Sequence, residues 1–156
     1  MKKNDPPAWF EKKYPSLEDL ERSLECCGCR VTHAEIGDEA LFVAGDGHEP
    51  HVVILPAAAE GLRRAWLLAH ELAHLLMHRG YASGWTRSQQ EARANAWAAR
   101  ALIPEAAVRR HRNASMDAFI AALSAHYEDL PSEDCPQRRL AAEIAHIRLK
   151  AVEEVA

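Results

Sequence analysis

The sequence contains no hydrophobic run long enough to cross a membrane. A membrane-spanning helix needs about 20 consecutive apolar residues. The longest candidate runs from Ala65 to Met77 and is interrupted by two histidines and a glutamate. The first residues, Met-Lys-Lys-Asn-Asp-Pro-Pro, lack the apolar stretch of a secretion signal. We therefore expect a protein of the cytoplasm that has no membrane partner.

The chain also lacks an excess of basic residues. Its 19 lysines and arginines stand against 23 acidic residues, and the net charge is −4. Proteins that bind nucleic acid broadly usually carry a basic face. We therefore expect no direct binding of nucleic acid.

Cysteines are few, and their spacing does not favour a structural metal site. Cys26 and Cys29 form a CxxC pair, but Cys135 lies far along the chain. A four-thiolate site would also need the adjacent Cys27, which is an awkward geometry. In a reducing cytoplasm we expect free or partly buried thiols. The sequence assigns no role to Cys26, Cys27 and Cys29.

The length of 156 residues suits one domain spanning residues 1–156. Residues 1–15 are polar and contain prolines, which predicts a loose N-terminal arm with Trp9 and Phe10 as anchors. Residues 113–156 predict a C-terminal helical segment that loosely resembles a helix-turn-helix. Its expected role is packing or docking of a partner.

The pattern of apolar residues predicts an α+β fold. Ser16 is a plausible N-cap for a helix that Gly28 ends. Apolar runs at Val31, 41–43 and 52–55 then predict a small antiparallel sheet of about three strands. A mainly helical body follows, with helices expected at about 58–78, 88–102, 104–111, 115–126 and 133–152.

The strongest chemical signal is the HExxH segment His70-Glu71-Leu72-Ala73-His74. On a helix, His70 and His74 lie one turn apart on the same face, so both imidazoles can bind one metal ion. Glu71 is rotated by about 100° from His70, so it can act on a metal-bound water as the general base. The helix is apolar almost all round, which predicts burial. Two core histidines beside a chance glutamate are the alternative reading.

A catalytic zinc needs a third protein ligand and one open position. Glu91 is the candidate, because it lies 17 residues after His74, which allows a loop and a second, antiparallel helix. Asn95 follows four residues later on the same face and could hydrogen-bond a ligand imidazole. A solvated surface glutamate is the alternative for Glu91 taken alone.

His78 competes with Glu91 for the third position. On a continuous helix it lies about 12 Å from His70, whereas Zn–N bonds are only about 2.0–2.1 Å long. No glycine or proline breaks the helix between them. We therefore expect His78 to support the site from outside the metal, or to interact with the helix C-terminus.

Two blocks of the sequence resemble the ImmA/IrrE family of bacterial metallopeptidases. The first runs from Arg64 to His78 (RAWLLAHELAHLLMH), and the second runs from Glu91 to Pro104 (EARANAWAARALIP). Their order and separation extend the resemblance over roughly residues 50–110. Arg93 and Arg100 depart from it, since many members have acidic residues there, and both could alter substrate preference.

The resemblance implies a gluzincin-like site with one Zn²⁺ bound by His70, His74 and Glu91, and with Glu71 as the base. Manganese or iron could replace zinc in the cell. The resemblance also implies a zinc endopeptidase whose partner is a helix-turn-helix repressor of phage, mobile-element or stress-response type. The alternative is a non-catalytic regulator that binds a repressor or acts in a toxin–antitoxin pair.

The donor that stabilises the oxyanion is left open by the sequence. Such a donor is worth about 3–4 kcal/mol in peptide hydrolysis. The candidates are His78, Tyr81, His126 and Tyr127.

Overall fold

The computed structural model describes residues 5–78, 86–110, 115–127 and 136–155. In these ranges the helices begin and end within three residues of their predicted bounds, and the α+β class is confirmed. In chain order the elements are α1 (Leu17–Cys26), β1 (Cys29–Ala34), β2 (Leu41–Val43), β3 (His51–Pro56), α2 (Gly61–His78), α3 (Arg87–Leu102), α4 (Glu105–Arg110), α5 (Met116–His126) and α6 (Pro136–Val155).

Helix α1 begins at the predicted cap. The Ser16 hydroxyl accepts a hydrogen bond from the Asp19 N–H at 3.0 Å, and the Asp19 carboxylate accepts one from the Ser16 N–H at 2.9 Å. This reciprocal capping box satisfies two backbone donors that a helix leaves unpaired. After the helix, Gly28 has a φ of 83°, a left-handed conformation that glycine adopts without strain. The chain can therefore turn directly into β1.

The sheet has the expected three strands, but it is mixed and not wholly antiparallel. Strand β3 lies in the centre, pairing in parallel with β1 and antiparallel with β2. The turn at Gly37 does not join β1 and β2 as a hairpin, since both strands pair with β3. Residues 35–40 connect β1 to a strand that is not its neighbour. Strand β3 lies between β1 and β2, so β2 forms the far edge of the sheet. Sequence turns mark where a strand ends, but they do not show which neighbour it pairs with.

Helix α2 is the buried helix of the fold, as its apolar pattern predicted. Leu68, Ala69, Leu72 and Ala73 are fully buried on it. Helix α3 packs along α2 through small side chains, among which Ala94, Ala98 and Ala99 are fully buried. Short side chains at a helix contact let the two backbones approach closely. This contact positions the metal-site residues of both helices.

The N-terminal segment and helix α6 both contact the rest of the fold through specific side chains. The Trp9 indole donates to the Ser23 hydroxyl at 3.1 Å, and the Phe10 ring stacks on Trp97 at 4.8 Å between centroids. In α6 the buried Arg148 donates to the Ile103 carbonyl at 2.9 Å. The connection between α5 and α6 lies outside the described residues. The division of the chain into one domain, an arm and a helix-turn-helix-like segment therefore stays a prediction.

Within the described ranges, no helix is both long and apolar enough to cross a membrane.

Candidate metal centre and active-site cavity

Helix α2 directs two imidazoles at one point. The Nε2 atoms of His70 and His74 lie 3.0 Å apart, and the two rings meet edge to face. The four-residue spacing produces this geometry because a helix repeats about every 3.6 residues. Only 17% of the His70 side chain and 25% of the His74 side chain are exposed, so both donors lie in a partly dehydrated site.

Helix α3 brings Glu91 to the same point. One carboxylate oxygen of Glu91 lies 3.2 Å from His70 Nε2, and the other lies 3.1 Å from His74 Nε2. Among the described residues these three side chains form the cluster that could hold a metal ion. The cysteines are not part of it. The three predicted ligands thus lie together.

The donor set fits zinc in both type and spacing. Two imidazole nitrogens and one carboxylate oxygen are ligands that zinc takes in catalytic sites. A tetrahedral ion with bonds of about 2.0–2.1 Å holds its ligand atoms about 3.3 Å apart, and the three observed separations are 3.0–3.2 Å. Two facing imidazole lone pairs repel each other unless a proton or a cation lies between them. The arrangement therefore suits a bound cation.

Glu71 lies beside the metal cluster without belonging to it. Burial, with a smaller contribution from the negative charge of Glu91, raises the pKa of the Glu71 carboxyl from 4.5 to about 7. A general base works best when its pKa lies near the working pH. A cation bound by the neighbouring ligands would lower this pKa again.

A cavity of about 1170 Å³ opens over the cluster. Helices α2 and α3 form one side of it, and the strand β2 forms another. It is lined by Glu39, Ala40, Leu41, Phe42, Ala44, His51, Arg63, Trp66, Leu67, His70, Glu71, His74, Leu75, Arg87, Gln90, Glu91, Asn95, Leu140 and Glu143. Three consecutive side chains of β2, Leu41, Phe42 and Val43, are 44–50% exposed. The cavity is therefore bordered by an apolar, accessible strand.

Asn95 lines this cavity, and its hydrogen bond to a ligand imidazole stays a prediction. The Nδ1 atom of His70 is buried and has no hydrogen-bond partner within the described residues. Asn95 lies one turn beyond Glu91, on the wall of the cavity. The side chain of His78 lies outside the described part, so its supporting role stays a prediction.

Two of the four candidates for the oxyanion donor are directed elsewhere. The Tyr127 hydroxyl donates to the Pro15 carbonyl at 2.6 Å, and His126 Nε2 lies 3.1 Å from the same oxygen. Neither residue lines the cavity. Tyr81 and the His78 side chain lie outside the described residues. The sequence could not exclude His126 and Tyr127, because nothing in it shows that α5 packs against the N-terminal segment.

The two arginines that depart from the ImmA/IrrE pattern do not line the cavity. Arg100 forms an ion pair with Glu11, and its guanidinium lies 5.5 Å from the centre of the Phe10 ring. At this position the arginine fixes the N-terminal segment to α3. The expectation that Arg93 and Arg100 alter substrate preference therefore gains no support from their positions.

The family model of the IrrE N-terminal-like domain, Peptidase_M78, matches residues 24–128 of the chain. The chain belongs to this family. The resemblance to ImmA/IrrE proteins is thus confirmed, and membership in Peptidase_M78 supports a metallopeptidase-type function. Comparison with curated proteins and with solved structures gives no significant match.

Some cavity residues of this Peptidase_M78 member were missed by sequence reasoning. Leu140 and Glu143 belong to α6, beyond the matched region, yet they line the cavity. No pattern in the sequence places α6 there. His51 was missed as well, although its position immediately before the predicted strand at 52–55 could have drawn attention to it.

Proposed function

We propose that this protein is a zinc-dependent endopeptidase of the bacterial cytoplasm that cleaves a helix-turn-helix repressor of phage, mobile-element or stress-response type. The observation that carries the proposal is the convergence of His70, His74 and Glu91 beneath a cavity bordered by an accessible strand. The choice of a repressor as substrate rests on the family resemblance.

Three protein ligands leave one coordination position of a tetrahedral ion for water or substrate. A zinc ion bound there would supply a water of lowered pKa and would polarise the peptide carbonyl. His70 and His74 hold their Nε2 atoms towards the site, and Glu91 contributes the third donor and a negative charge.

Glu71 accepts the proton of the attacking water and returns it to the leaving amine. Its position supports this role, because it lies in the cavity next to the ligand His70 but outside the ligand group. Its partly dehydrated carboxylate binds a proton more readily than an exposed one does, which favours proton transfer near neutral pH.

The edge strand β2 that borders the cavity favours an extended peptide as substrate. Strand β2 pairs with β3 on one side, and its other edge has no strand partner among the described residues. An extended segment can pair with such an edge through backbone hydrogen bonds. The exposed side chains Leu41, Phe42 and Val43 offer apolar contacts along it. A locally unfolded segment of the repressor would fit this surface.

The test is incubation of the zinc-loaded protein with candidate helix-turn-helix repressors from the same genome, followed by mass spectrometry of the products. We expect cleavage at a defined bond, loss of cleavage with a chelator, and recovery when zinc is added. Glu39→Gln is the matched control for Glu71→Gln, because it removes another cavity carboxylate that is outside the metal cluster. Binding of the intact repressor without cleavage under all conditions would favour the non-catalytic regulator instead.

A further inference from the structure

His51 is a polar side chain of the cavity to which the proposed mechanism gives no role. It is the first residue of β3 and lines the same cavity as His70 and His74. It does not belong to the metal cluster. Its imidazole is therefore available to contact a bound molecule directly.

The backbone fixes the tautomer of His51. The Gly45 N–H donates a hydrogen bond to His51 Nδ1 at 2.9 Å. A backbone N–H can only donate, so Nδ1 must be the unprotonated nitrogen. In the neutral imidazole the proton then lies on Nε2. His51 is thus a hydrogen-bond donor at the end of the ring that is remote from Gly45.

The loop before β3 is built to hold this contact. The Asp46 carboxylate accepts hydrogen bonds from the N–H groups of His48 and Glu49 at 2.7 and 2.8 Å, which closes the loop. A Cβ atom at Gly45 would lie 2.1 Å from the Glu49 carbonyl oxygen, so only glycine permits this close approach. The loop therefore holds the Gly45 N–H within hydrogen-bond distance of His51 Nδ1.

The sheet directs His51 towards the helices. Side chains alternate between the two faces of a strand, so His51 shares a face with Val53 and Leu55, which are fully buried in the core together with α2. Phe42 pairs with Val53 and lies on the same face, and its ring centre is 5.4 Å from that of His51. The His51 ring is thus held between the sheet and the cavity.

We propose that Nε2–H of His51 donates a hydrogen bond to a carbonyl oxygen of the peptide bound in the cavity. The proposal rests on the proposed function, since it assumes that a peptide is the ligand. An imidazole that is already held by the Gly45 N–H suits this task because it loses little rotational freedom on binding. His51 is then a substrate-binding residue on the sheet side of the cavity, opposite the metal ligands.

The test compares two conservative variants in the zinc-loaded full chain. His51→Asn places an amide oxygen near Nδ1 and removes the donor at Nε2, whereas His51→Gln places its amide near Nε2. With a degenerate mixture of internally quenched peptides as probe, we expect His51→Asn to lower kcat/KM about tenfold, mainly through KM. His51→Gln should retain most of the wild-type kcat/KM, because its amide can still donate near the position of Nε2. His48→Ala, an exposed position of the same loop, is the control and should match the wild type.

Wild-type activity in His51→Asn, or equal losses in the two variants, would overturn the proposal. A second readout does not depend on turnover. In a nitrogen-15 spectrum of the zinc-loaded Glu71→Gln protein, we expect His51 to carry its proton on Nε2 and its signal to shift when the peptide mixture is added. A proton on Nδ1, or a signal that does not move, contradicts the proposal. Failure of the proposed function itself would show differently, as a wild type that leaves the repressor intact with or without chelator.

Discussion

The raised pKa of Glu71 predicts an unusual pH dependence of stability for the metal-free protein. A carboxyl whose pKa is higher in the folded state favours folding when it is protonated, and this contribution is lost as the pH rises. For Glu71 the window runs from 4.5, the ordinary value, to about 7. Replacement by glutamine, which is neutral at every pH, should remove this dependence.

The magnitude follows from the two pKa values. They differ by about 2.5, and each pH unit corresponds to about 1.4 kcal/mol, so the ionised carboxylate costs about 3 kcal/mol of folding free energy above pH 7. Metal-free Glu71→Gln should therefore be more stable than the wild type by about 3 kcal/mol at pH 8. At pH 4.5 most of this difference should disappear.

Urea denaturation of the chelator-treated proteins at pH 4.5 and pH 8 measures this difference. Glu105→Gln provides a contrast of opposite sign. The hydrogen bond and charge of Arg148 lower the pKa of Glu105, so its carboxylate stabilises the fold at high pH and loses that effect in acid. A Glu71→Gln difference that does not change between the two pH values would refute the reasoning, because burial of the carboxylate would then have no cost.

Three further predictions concern the metal ligand and the packing around it. Glu91→Ala should keep its helical circular dichroism but weaken zinc binding by more than about a hundredfold in calorimetry. Loss of a residue that only orients a ligand already lowers metal affinity about 10- to 100-fold. Unchanged affinity would exclude Glu91 as a ligand. Arg148→Met should lose about 2 kcal/mol in urea denaturation, because the Ile103 carbonyl and the Glu105 carboxylate both lose a charged donor. Phe10→Ala should lose at least about 1 kcal/mol from the ring stack on Trp97, and a smaller loss would show that the N-terminal segment contributes little to the fold.

The sequence predicted those parts of the fold that depend on local periodicity. The bounds of the helices, the cap at Ser16 and the convergence of His70 and His74 all follow from repeats within a few turns. Glu91 could be predicted because it lies only 17 positions after His74, which leaves few arrangements for the two helices that carry them. These inferences needed no knowledge of distant contacts.

Features that depend on distant contacts could not be predicted in this way. The parallel pairing of β1 with β3 arises because residues 35–40 carry β2 to the far edge of the sheet. The contact of Tyr127 with Pro15 joins two segments separated by 112 positions. The position of α6 on the cavity depends on packing that follows no periodic signal. In each case the partner is chosen by the tertiary fold, and the sequence pattern of one segment does not encode it.

The most direct test of the zinc-dependent mechanism is the cleavage rate of Glu71→Gln protein whose zinc content has been measured. The account predicts one zinc ion per chain, as in the wild type, together with a nearly complete loss of cleavage, because the ligands remain and the base is gone. Cleavage at the wild-type rate by the fully zinc-loaded variant would contradict the assignment of Glu71 as the general base.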